Sequence, residues 1–179
     1  MTVDADAYRG VVGHFATGVT VVTTCDQGRH VGMTANSFTS VSLDPVLALV
    51  AVDRNARFHA AVLRSESFAV NVLAADQQDL SRWFATRGRP HDDEHIDRWP
   101  HRIGSVSGAA VFDGVLAALE CRTYATHDGG DHTLLVGEVL GMTADRPDAE
   151  PLLYFKGVYR TLPAGPEDPT PSLADGSPD

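Results

Sequence analysis

The chain has 179 residues, 43% of them hydrophobic and 21% charged, with a formal net charge of -10. That length supports one domain with a full hydrophobic core and leaves little room for a second. The acidic balance argues against a nucleic-acid partner, because binders of phosphate backbones carry a basic face and the arginines here are scattered around a single lysine, Lys156. The two cysteines, Cys25 and Cys121, make neither a disulfide framework nor a zinc knuckle. The acidic start, Met1 to Asp6, is no signal peptide, and no run of about 18 apolar residues is available to span a membrane. A reducing cytoplasm is the expected setting.

Asp4 is placed to cap a helix with Tyr8, Val11, Val12 and Phe15 on one side, and Gly18 is its expected stop. The β-branched run from Val19 to Cys25 predicts a strand, Asp26-Gln-Gly28 a turn, and His30 to Ala35 the returning strand. After Pro45, the unbroken apolar run Val46 to Val52 predicts a strand buried on both faces. A short helix with Phe58, Ala61 and Val62 on one face follows, then a strand from Phe68 to Leu73. Asp76 is expected to cap a helix whose apolar stripe is Leu80, Trp83 and Phe84.

The clearest hairpin comes late. Leu116 to Thr126 alternates, with Leu119, Cys121, Thr123 and Ala125 on one face and Glu120, Arg122 and Tyr124 on the other. Asp128-Gly-Gly-Asp131 then forms a tight turn, and His132 to Met142 returns. Leu153 to Thr161 supplies a last strand. Pro163 to Asp179, rich in Pro, Gly, Ser and acids, cannot bury enough surface to offset its ordering entropy and reads as a disordered tail. Residues 1–162 read as one domain. Many antiparallel strands with a few short helices predict a mainly β, barrel-like architecture with peripheral helices.

No strand leads into Gly-x-Gly-x-x-Gly and no phosphate loop ends in Gly-Lys-Ser/Thr, so a nucleotide would have to be held in some other way. The candidate is Gly32 to Ser42, where Thr34, Asn36, Ser37, Thr39, Ser40 and Ser42 crowd short polar side chains between two strand-forming runs. Hydroxyls, an amide and exposed backbone N–H groups can meet both a phosphate and the polar edge of a planar ring. Arg54 and Arg57 could add charge to a phosphate. On composition alone the plainer reading, a polar strand and turn with nothing bound, is preferred, since such clusters are common in loops.

His132 stands just after the Gly-Gly turn and is either solvated, packed on a flat ligand or donating to a carboxamide through one of its two ring nitrogens. The segment Pro90 to His101 places His91 and His95 four apart, a helical metal-ligand spacing. Prolines bracket it and its charges run on without an apolar face, so it reads as a solvated loop with no metal. Gly-x-Ser-x-Gly is absent, which removes a hydrolase elbow.

Several ordered pieces together resemble the flavin reductase-like family, the small reductase components of two-component flavin monooxygenases. They are Phe15 to Thr24, Gly32 to Pro45, Phe68 to Leu73, Phe84-Ala85, Leu119-Glu-Cys121, Gly130 to Val139 and Leu153 to Tyr159. The resemblance implies an FMN-binding split β-barrel, antiparallel and Greek-key-like with short peripheral helices, working as a homodimer with flavin near the subunit interface. It implies hydride transfer from NADH or NADPH to FMN or FAD, and delivery of reduced flavin to a partner oxygenase. Met33, Thr34, Ala35, Asn36 and Ser37 would line the flavin ring and ribityl chain. Ser40, Val41 and Ser42, with Asp53 and Arg54, would lie near the phosphate side or the rest of the cofactor. Arg57 stands where relatives often carry a small hydroxyl residue, and would strengthen phosphate binding or block an adenine. His132 matches the family histidine beside the nicotinamide. Two other readings stay open: a flavin carrier or redox sensor without turnover, and a flavin-dependent oxidase on the same barrel, against which the Gly-Asp-His132-Thr motif stands.

Overall fold

Twelve strands and a few short helices are found among residues 3–86, 88 and 94–162, the part of the chain that the computed structural model describes. The expected tail at 163–179 lies outside these residues, as do His91 and the side chain of His95.

The strands form because β-branched runs meet turns whose residues tolerate positive φ. Strand β2 (Thr20–Asp26) and β3 (Arg29–Ala35) are joined through Gln27 at φ 51° and Gly28 at φ 79°, the pair of positive values that a two-residue hairpin turn requires. β4 (Thr39–Leu43) pairs with β5 (Val46–Asp53), and β6 (Ser67–Val72) pairs with both β2 and β9 (Ala117–Gly129). The long hairpin of β9 with β10 (His132–Thr143) occupies the middle of the sheet. Every pairing is antiparallel, in the order β3-β2-β6-β9-β10-β5-β4, and β3 comes back against β5 as the sheet curls.

Alternation along β2 and β6 feeds two cores. Val22, Phe68 and Val70 point inward with Val50, Val52, Cys121 and Leu135, and helix α2 (Arg57–Ser65) closes that interior with Phe58 and Val62. Val21, Ala69 and Ala118 point outward and are covered by α3 (Gln78–Ala85) through Leu80 and Phe84, and by the small hairpin of β7 (His101–Ile103) and β8 (Ala110–Phe112). At Gly137 a Cβ would lie 2.4 Å from Phe68 Cζ, so only glycine lets that ring cross the barrel.

Four sequence expectations are corrected. Helix α1 (Ala5–Val12) is capped by Asp4 as expected, but it stops at Gly13, whose N–H closes on Arg9 O, while Gly18 belongs to the short strand β1 (Thr17–Gly18). β5 is not buried on both faces. Its Ala48, Val50 and Val52 are buried, whereas Val46 is exposed and the residues between are half-buried, because among the described residues no helix covers that side near the edge strand. Asp76 does not cap α3. It ion-pairs with Arg146 at 2.9 Å, and the turn before α3 is capped at Ala74 by the Gln77 side chain, whose Oε1 accepts from Ala74 N. The last strand is two, β11 (Leu153–Phe155) and β12 (Val158–Arg160), folded back through Lys156 and Gly157 at positive φ.

The alternation of β9 puts Glu120 on its outer side, yet the residue is buried. Its Oε2 accepts hydrogen bonds from Val106 N at 2.9 Å, Ser107 N at 2.8 Å and Ser107 Oγ at 2.9 Å. Burial pushes its pKa up, but the bonds from Ser107 and Val106, with Arg102 nearby, outweigh burial and hold it below the usual value. A depressed folded pKa adds stability above the unfolded pKa of about 4.3, and that contribution is lost as pH falls through the lower folded value. Glu120→Gln is expected to cost roughly 1–2 kcal/mol at neutral pH, charge-assisted bonds being about twice as strong as neutral ones. Urea unfolding should show the deficit closing as the wild-type carboxylate protonates.

Candidate active site

The end of β3, the end of β5, the start of β10 and the N-terminus of α2 converge on a cavity of about 700 Å³. Met33 to Ser37 form one wall and Asp53, Arg57 and His132 another. These residues, remote in sequence, meet because β3 comes back against β5 and because β5 pairs with β10 in a register that sets His132 opposite Asp53. Ser40, Val41, Ser42 and Arg54 do not line the cavity. The first three belong to edge strand β4. Arg54 turns away to ion-pair with Asp128 at 2.8 Å, a contact that fastens the β9–β10 turn.

The hydroxyl cluster divides its work. Thr34 Oγ1 donates to Ser81 O at 2.6 Å, and Ser37 Oγ donates to Ala51 O and accepts from Ala51 N, both at 3.1 Å. Ser42 Oγ accepts from Asp44 N, and Thr39 Oγ1 donates to Ser40 O. Thr34 and Ser37 therefore fasten the backbone of the cavity wall, Thr39 and Ser42 bond within β4 and its turn, and the exposed Asn36 borders the cavity. The structural reading of this stretch thus applies to the bonded hydroxyls, while Asn36 lies where a ligand could reach it.

At the opposite wall, His132 Nδ1 lies 2.7 Å from Asp131 Oδ1. That hydrogen bond, reinforced by the charge of the imidazole when protonated, holds the Asp131 pKa below its usual value. The turn itself is held by Arg54 N donating to Asp131 O at 3.1 Å and Gly130 N donating to Asp128 Oδ1 at 2.9 Å. Helix α2 opens on the cavity with Ala56 at its N-cap, a residue whose side chain makes no capping hydrogen bond. N–H groups and the positive dipole end there favour an anion, with the Arg57 guanidinium at the same end.

Periodicity did not single out the aromatic part of the lining. Phe84, Tyr154 and Tyr159 all border the cavity, and Tyr159 OH meets Ser81 Oγ at 2.8 Å, tying this wall to the residue that also holds Thr34. Gly32 makes the wall possible, since a Cβ there would stand 2.9 Å from Phe84 Cε1. The available signal was the pieces Phe84-Ala85 and Leu153 to Tyr159 that carried the family resemblance. A flat, apolar ring system with a polar edge and a phosphate-bearing chain fits this combination of rings, amide and helix N-terminus. Among the described residues, no group of three or more His, Cys, Asp or Glu is placed to hold a metal, and no helix is long and apolar enough to cross a membrane.

The profile of the flavin reductase like domain matches residues 12–163. An FMN reductase (NADH) from Agrobacterium fabrum is 44% identical over 153 residues, covering 86% of this chain and 83% of that protein. The flavin reductase component of a bacterial two-component tryptophan halogenase is 44% identical and superimposes with a TM-score of 0.84 over 89% of this chain and 99% of its own. The NADH:FAD oxidoreductase of Streptomyces globisporus, solved with NAD and FAD fragments, is 40% identical with a TM-score of 0.83, covering 92% of this chain and 98% of that one. The fold is thus the mainly antiparallel split β-barrel of flavin reductases. The chain belongs to the flavin reductase-like family.

Proposed function

We propose that this chain is an NADH-dependent flavin reductase that reduces FMN or FAD and supplies the reduced flavin to a separate oxygenase component in the cytoplasm. The observation that carries the reading is the meeting of the Met33–Ser37 cradle and His132 in one cavity. Relatives over most of their length are reductases of this kind, one of them the reductase component of a two-component halogenase.

Flavin, when bound, supplies the hydride-accepting chemistry. The protein's contribution is position and polarity. Met33 to Ser37 would line the ring, with backbone N–H groups and the Asn36 amide toward its polar edge. The α2 N-terminus and Arg57 would take the phosphate. His132 would set the nicotinamide, and confining both partners in one cavity replaces a bimolecular encounter by an oriented one.

The partner chain we propose is a second copy. Tyr8, Val11 and Val12 leave the apolar stripe of α1 exposed, with Phe15 bare just beyond its end, and Val41 and Leu43 do the same on edge strand β4, surfaces that a lone soluble chain rarely leaves bare together.

The test is to mix purified protein with NADH or NADPH, with and without FMN or FAD, and follow loss of reduced nicotinamide while sedimentation reports the mass. Flavin-stimulated oxidation, faster with NADH, from a species of twice 19.1 kDa is expected. No stimulation by either flavin would leave a carrier or sensor, and oxidation of an organic substrate in place of NADH would indicate an oxidase.

A further inference from the structure

We propose that Asp131 is a positioning residue that fixes His132 as a hydrogen-bond acceptor toward the cavity, matched to the N–H of the nicotinamide carboxamide. The proposal rests on the reading above that His132 meets the nicotinamide.

The geometry begins with the 2.7 Å contact between Asp131 Oδ1 and His132 Nδ1. An ionised carboxylate only accepts, so Nδ1 must carry the proton, and in a neutral imidazole the lone pair is then on Nε2. That the pKa of Asp131 is held down agrees with an ionised partner. His132 borders the cavity, and among the described residues its Nε2 makes no hydrogen bond. An acceptor presented there selects a ligand with an N–H to give. The carboxamide NH2 of a nicotinamide has one, and a ligand presenting only a carbonyl does not.

The hairpin keeps Asp131 free for this task. Its two carboxylates have different partners: Asp128 accepts from Arg54 Nη2 at 2.8 Å and Gly130 N at 2.9 Å, whereas Asp131 takes the histidine. Arg54 also donates its backbone N–H to Asp131 O at 3.1 Å, fixing the main chain from which both side chains of the pair project. Arg54, outside the cavity, thereby contributes to it at one remove. The Asp131 side chain is 86% exposed, so the contact is a solvated one. Tautomer control needs no more, because a bias of several-fold is enough to set which nitrogen a ligand meets.

The experiment uses the full chain labelled with 15N-histidine at about pH 8, where an unperturbed imidazole is neutral. The His132 signals are identified by their loss in His132→Gln. In the wild type Nδ1 should be protonated and Nε2 pyridine-like, and Asp131→Ala should move the population toward a protonated Nε2. In parallel, NAD+ and its 3-acetylpyridine analogue, in which a methyl replaces the NH2, are titrated against wild type and Asp131→Ala. The wild type should favour NAD+ by about tenfold, the worth of one hydrogen bond. Asp131→Ala should narrow the ratio to about threefold or less and leave flavin affinity unchanged. A His132 tautomer indifferent to Asp131 overturns the proposal directly. A tautomer that follows Asp131, with His132→Gln leaving NAD+ affinity unchanged, overturns it through the reading on which it rests.

Discussion

Replacing His132 by alanine is expected to raise the KM for NADH about tenfold, with the Kd for FMN or FAD staying within about twofold of the wild type. The separation follows from how the site is assembled. The cradle at Met33 to Ser37 is held by Ser81 O and by the backbone of Ala51, and none of those contacts includes the β9–β10 turn. The fold at the start of β10 does not depend on the imidazole either. Thr133, the next residue, is buried and bonded to His59 Nε2 at 2.8 Å, and the register with β5 continues from Val52 to Leu47. Removing the ring therefore deletes a contact to one ligand. If His132 holds NADH equally in the ground and transition states, kcat should change little while KM rises. Initial rates over a range of NADH at saturating flavin, with an independent flavin titration, check both halves. A parallel loss of flavin affinity would show that the two ligands do not divide the cavity in this way.

The sequence reading succeeded where a residue reports its immediate surroundings. The β-branched run at Val19 to Cys25, the turns at Gln27-Gly28 and Gly130-Asp131, and the cap at Asp4 are local facts, and the structure has each of them. It failed where the deciding partner is distant along the chain. Ser37 and Thr34 border the cavity as that stretch suggested, but nothing local shows that Ala51 and Ser81 take their hydroxyl protons. Arg54 looks like a phosphate ligand until Asp128 is found beside it. Period-two alternation placed Glu120 on the correct side of β9, but it carries no information about whether a loop covers that side. Phe84 read as an ordinary core residue, and it is one at 4% exposure. Its edge also borders the cavity because α3 lies against β3 at Gly32, a relation no spacing encodes.

Asn71 is the strongest case of such a hidden partner, and Asn71→Leu is expected to cost roughly 3 kcal/mol of stability and to weaken flavin binding without touching the cavity. The residue sits in the apolar piece Phe68 to Leu73 and is fully buried. Its Nδ2 donates to Val21 O at 3.0 Å, and its Oδ1 accepts from Phe112 N at 2.9 Å. Beside it, Thr23 Oγ1 donates to Ala110 O at 2.6 Å. Strand β8 is thus docked on the outer face of the sheet by side chains of β2 and β6. Leucine keeps the branching of asparagine but is larger, so some crowding adds to the main cost, the buried Phe112 N–H and Val21 carbonyl that lose a partner. The link to the site is the Phe112 ring, whose centroid is 5.4 Å from that of Phe84, which in turn borders the cavity. Once β8 loosens, Phe84 loses the surface that holds it over Gly32. Urea unfolding should show the midpoint falling with an unchanged slope, the mark of lost stability in place of a different folded state. Flavin titration at a denaturant-free, fully folded condition should show the affinity falling severalfold. A destabilised variant that binds flavin as the wild type does would mean that Phe84 is positioned by α3 alone, and that the outer layer serves the fold without serving the site.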